Sequence, residues 1–108
     1  MELSQYTKQI GKYISKHVGS AVDFQTTGKD CTIYLKFSDR RGSNTNIEIN
    51  LTGYADKLRL NVTLIDELGY EKTILQRITP KARLEKTSLQ EIGDKLIDSI
   101  NKAIDKHC

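Results

Sequence analysis

Four side chains in this 108-residue sequence have the sulfur or imidazole chemistry to hold a transition metal: Cys31, Cys108, His17 and His107. A zinc site needs three or four such ligands converging on one point. His107 and Cys108 are neighbours at the end of the chain, and they read as a chance pair. His17 falls near the end of an apolar-periodic segment, where an exposed imidazolium complements the helix dipole. Nucleophilic chemistry is no better supplied. No serine stands in a Gly-x-Ser-x-Gly elbow. Cys31 shares parity with Ile33 and reads as a small buried core thiol. Gly42 and Gly53 are isolated, whereas a phosphate cradle needs a glycine-rich turn leading into a helix. Asp66 and Glu67 are adjacent carboxylates in a turn segment, where acidic residues serve the turn itself. The sequence therefore predicts a non-enzyme, with no catalytic residue, no metal and no cofactor.

That leaves surfaces, and the elements that would present them. Residues 31 to 64 alternate apolar and polar with little interruption. Ile33, Leu35, Ile47, Ile49, Leu51, Leu58, Leu60 and Val62 share one parity. Tyr34, Lys36, Glu48, Asn50, Arg59, Asn61 and Thr63 share the other. Successive side chains of a strand point to opposite faces, so the alternation describes a sheet with one dry and one wet face. Strands are predicted from Val22, over 31–37, 45–52, 57–65 and 70–78. The short connections between them favour an antiparallel meander. Thr73 and Arg77 join the wet face if the fifth strand keeps its parity. Ile65 and Leu75 break that parity, forming either a small apolar patch or a local bulge.

Helices flank the sheet. Leu3, Tyr6, Ile10, Tyr13, Ile14 and Val18 recur at helical spacing. A second stripe runs through Leu89, Ile92, Leu96, Ile100, Ala103 and Ile104, behind a Ser88-x-x-Glu91 capping box. Pro80 ends the sheet, and 79–87 reads as a connector. No third apolar element exists to cover the wet face. The expected fold is a single α+β domain over 1–108, a two-layer sandwich: N-terminal helix, five-stranded antiparallel meander, C-terminal helix, with both helices on one face.

The formal charge is +3. Arg77, Lys81, Arg83 and Lys86 stand against Glu85 alone within ten residues, so the whole excess sits in that one connection. Arg40 and Arg41 are predicted at a hairpin tip, where two guanidinium groups can reach a phosphate or carboxylate, or can simply solubilise the turn. No apolar run reaches the ~20 residues a membrane helix needs. The first eighteen residues lack the apolar core of a secretory signal. Cytoplasmic residence is expected, and in a reducing compartment a Cys31–Cys108 disulfide is disfavoured.

The expected function is thus binding. Tyr34, Lys36, Arg40, Arg41, Arg59 and Arg77 are the candidates to contact a protein or nucleoprotein partner, with the protein a monomer or homodimer. The alternative is nucleic-acid binding through Lys81, Arg83 and Lys86 of the connector. The Lys, Ile and Asn usage and the small size resemble accessory proteins of phages and mobile elements from AT-rich bacteria. Such proteins often act as inhibitors or adaptors of a host machine. This likeness is one of composition and carries over no residue.

Overall fold

The computed structural model describes residues 2–18, 21–27, 30–38 and 44–107, with only the backbone described for 21–27, 36–38 and 44. Helix α1 (Leu3–His17) opens on a backbone-to-side-chain bond, Glu2 N–H donating to Gln5 Oε1 at 2.8 Å. Its stripe of Leu3, Tyr6, Ile10 and Ile14 is buried, as 3.6-residue periodicity requires. Thr7 is the buried polar residue on that face, and its hydroxyl donates to the Leu3 carbonyl one turn back at 2.9 Å. Gly11 is buried as well, in keeping with close packing rather than an idle surface position.

Strands β1 (Ala21–Thr27), β2 (Asp30–Ser38), β3 (Asn44–Tyr54), β4 (Lys57–Ile65) and β5 (Glu71–Pro80) form an antiparallel sheet in sequence order. Helix α2 (Lys81–Lys86) and helix α3 (Leu89–His107) follow. The class and the order of helix, antiparallel sheet and helix agree with the sequence pattern. The Ser88 cap forms, its Oγ accepting from the Glu91 N–H at 3.1 Å. The dry-side residues of β2, β3 and β4 form one cluster with Ile10 and Ile14 of α1 and Ile92, Leu96 and Ile100 of α3. Both long helices therefore lie on the same side of the sheet. They touch each other closely at Gly93, where a Cβ would fall 2.3 Å from the Tyr13 ring.

Two segments differ from the sequence-based reading. The connector 79–87 is ordered secondary structure: β5 continues to Pro80, and α2 begins at once. Leu84 explains this, because it is buried in the core and anchors an otherwise charged turn of helix. Pro80 suits the junction, since its extended backbone needs no donor at a helix start.

The second difference concerns β5. Thr63 pairs with Thr73, but Val62 pairs with Leu75, so Ile74 is an extra residue with no counterpart in β4. One inserted residue reverses the side-chain parity beyond it. Leu75 turns inward and packs against the core, as one of the two readings anticipated. Arg77, assigned to the wet face, instead stands opposite Leu60 on the helix-covered side, and Ile78 takes the wet-side position beside Arg59.

Candidate functional site

Cross-strand partners share a face, so the ladder register lays out the open side of the sheet row by row. One row is Tyr34, Glu48, Thr63 and Thr73; the next is Thr32, Asn50, Asn61 and Gln76. A third is Asp30, Thr52, Arg59 and Ile78, and a fourth is Tyr54, Lys57 and Pro80. Polar side chains in the middle rows tie one another down. Thr32 Oγ1 donates to Asn50 Oδ1 at 2.8 Å, and Asn50 Nδ2 donates to Glu48 Oε1 at 3.0 Å.

The rows nearest the β3–β4 turn have a different character. The Arg59 guanidinium lies over the Tyr54 ring, 5.4 Å from its centroid. Beside it Ile78 is 53% exposed, and Tyr54 itself is 46% exposed. Arg59 Nε and Asn61 Oδ1 are shielded from solvent and have no hydrogen-bond partner among the described residues. An arginine stacked on a tyrosine loses little freedom on binding, because the ring already holds its plane. The tight turn that creates this corner is Ala55-Asp56, with Ala55 at φ 50°. Tyr54, which the sequence placed in a loop, is the last residue of β3.

Of the residues singled out from sequence, Tyr34 and Arg59 share this face, two strands apart. They are separated by two rows, roughly 14 Å along the strands. Lys36 lies in β2 opposite Asn46, and its side chain is outside the described part of the structure. Arg40 and Arg41 are also outside the described residues. Arg77 is on the other side, for the reason given above.

There Arg77 meets a second feature. Together with Arg83 of α2 and Lys95 of α3 it lines an open cavity of about 300 Å³ between β5 and the two helices. Thr79, Thr87 and Ser99 add hydroxyls, and Asp98 adds one carboxylate. Lys81 and Lys86 belong to the same short helix as Arg83. Sequence reasoning missed Lys95, because helix α3 places it beside residues distant in the chain. It missed Ile78 because the bulge is not visible in composition.

Cys31 is a buried free thiol whose pKa is pushed from 9.0 up to about 11 by burial. Thiolate, the reactive form, is therefore scarce near neutral pH. His17 is exposed in the last turn of α1, and its ring sits 4.4 Å from that of Tyr13. The Tyr13 hydroxyl donates to Asp94 Oδ1, and this bond holds the phenol pKa above its ordinary value. Asp66 works for its turn: Oδ1 accepts from the N–H groups of Leu68 and Tyr70, each at 2.9 Å. Among the described residues no helix is long and apolar enough to cross a membrane.

The fold and its surfaces define an α+β sandwich with one helix-covered face and one open face. Compared with family models, with curated proteins and with solved structures, the chain matches none of them.

Proposed function

We propose that the protein is a non-enzymatic binding module whose open sheet face receives a partner protein. The corner formed by Tyr54, Arg59 and Ile78 is the anchor. The observation that carries this reading is the stacked Arg59–Tyr54 pair beside exposed Ile78, on the side of the sheet away from both helices. Arginine and tyrosine are enriched among the side chains that dominate binding energy at the centres of protein interfaces, and Ile78 adds exposed apolar area beside them. The surrounding Thr, Asn and Glu network supplies a polar rim with its hydrogen bonds largely made.

Charge and stacking favour protein over nucleic acid on this face. Asp30 and Glu48 balance Lys57 and Arg59 across the rows. One side of the Tyr54 ring is already taken by Arg59, so it makes a poor platform for a base. The complementary partner presents a carboxylate next to an apolar side chain. The compositional likeness to phage and mobile-element accessory proteins makes a component of a host machine the class of partner, with the protein its inhibitor or adaptor.

The test compares proteins captured by the wild type with those captured by Arg59→Glu and Ile78→Asp variants, read by quantitative mass spectrometry. Loss of an interface anchor of ~2 kcal/mol or more weakens affinity by at least about 30-fold. The reading expects one stoichiometric protein that both variants lose while keeping the wild-type melting temperature. Capture of the same protein at equal yield by both variants would overturn it.

A further inference from the structure

We infer that the groove between β5, α2 and α3 is a binding site for the phosphodiester backbone of nucleic acid, contacted by Arg77, Arg83 and Lys95. This inference rests on the cations of the groove and not on the Arg59–Tyr54 pair, although Ile78 also touches the groove's rim.

Three observations converge. The first is charge without compensation. Arg77, Arg83 and Lys95 line one cavity, and none of them forms an ion pair among the described residues. Asp98, the one carboxylate of the lining among the described residues, is already engaged by Lys102 at 3.0 Å. The second is their origin. The three cations come from a strand, a short helix and a long helix, so the tertiary fold assembles them against their mutual repulsion. An inward-facing charge on an edge strand can guard against edge-to-edge pairing, which would account for Arg77 alone. It does not account for Arg83 and Lys95 arriving at the same cavity.

The third observation is the chemistry and shape of the lining. Thr79, Thr87 and Ser99 can donate to phosphate oxygens beside the guanidinium and ammonium groups. The cavity, about 300 Å³, holds on the order of ten water volumes, ample for a phosphate group. It is open to solvent. Among the described residues no aromatic side chain lines it to stack a base, so recognition is directed to the backbone.

The experiment measures binding of fluorescein-labelled mixed-sequence duplex and single-stranded DNA by anisotropy, from about 50 to about 200 mM salt. Three phosphates neutralised on a duplex give a log–log salt slope near −2.7, and each cation removed lowers it by about 0.9. The site predicts that Arg77→Gln and Lys95→Gln each reduce the slope by that amount. It predicts that the triple variant with Arg83→Gln loses binding at the low-salt end, with melting temperature unchanged. Lys8→Gln, which removes an exposed cation of α1 that does not line the groove, leaves the slope as it is. Binding with a slope that the triple variant retains would overturn the inference, as would no binding at low salt. Two competitor arms address other sources of phosphate. Arg77-dependent binding of inorganic pyrophosphate, or of phosphatidylserine vesicles, without DNA binding would likewise overturn the assignment to nucleic acid.

Discussion

Arg77 stands directly opposite Leu60 in the β4–β5 ladder, while its chain neighbour Ile78 stands opposite Arg59. A single unpaired residue, Ile74, produces this arrangement by shifting the register between Val62 and Thr63. The bulge decides which of the two takes which side: Ile78 stands in the row of Arg59 and reaches the rim of the groove, and Arg77 stands on the helix-covered side.

The contact between the long helices depends on Gly93. A Cβ there would meet Tyr13 Cδ1 at 2.3 Å, so the ring, which is bonded to Asp94 through its hydroxyl, must shift. Overpacking costs about 1–3 kcal/mol, and the better helix propensity of alanine returns about 1. Gly93→Ala is expected to lower stability by roughly 1 kcal/mol in urea denaturation. Tyr13→Leu, which removes the hydroxyl, should cancel part of the hydrogen-bond component in a double-mutant cycle.

Asp66 holds the β4–β5 turn by accepting from two backbone N–H groups. Asp66→Ala removes both acceptors at once, and its cost should be about 1–2 kcal/mol. Amide exchange at Leu68 and Tyr70 should accelerate in the variant more than exchange in the centre of β4.

Ala55 adopts φ 50° in the two-residue β3–β4 turn. A side chain in the left-handed region costs on the order of 1 kcal/mol, and glycine avoids it. Ala55→Gly is expected to raise stability by about 0.5 kcal/mol, after subtracting the greater chain entropy glycine loses on folding. A melting temperature below that of the wild type would contradict this.

Cys31 gives a pH signature. Its folded pKa of about 11 lies above the ordinary 9.0, so the folded protein retains the proton that the unfolded chain gives up first. The resulting stabilisation is complete below pH 9 and is lost as pH rises from about 9 to about 11. In a Cys108→Ser background, alkylation of Cys31 by iodoacetamide at pH 8 should be about 100-fold slower than that of a free thiol, from thiolate fraction alone. Urea should abolish the protection.

How much of this was legible in the chain follows from the range of the forces involved. Helices α1 and α3 were readable because their stripes repeat over many turns and their burial obeys one period. The wet and dry sides of β2, β3 and β4 were readable for the same reason, with period two. Helix α2 was hidden, because a single apolar residue, Leu84, sets its position, and one residue has no period. The bulge at Ile74 was hidden because it depends on pairing with β4. The sequence offered only the misplaced parity of Leu75 as a hint. The alternation predicts a strand only to residue 52, yet Gly53 is a buried strand residue opposite Leu58 and Tyr54 continues the ladder. The groove could not be read at all, since Lys95 reaches Arg77 and Arg83 only through tertiary packing.

The most direct test uses the two neighbours on opposite faces. A photo-crosslinking amino acid is placed at position 78 in one protein and at position 77 in another, and each is irradiated in the cells that make it. The account predicts that position 78 forms a single protein adduct, lost when Arg59→Glu is added. Position 77 is predicted to lack that adduct and to crosslink to nucleic acid. The same protein adduct from both positions, or none from position 78, would contradict the account.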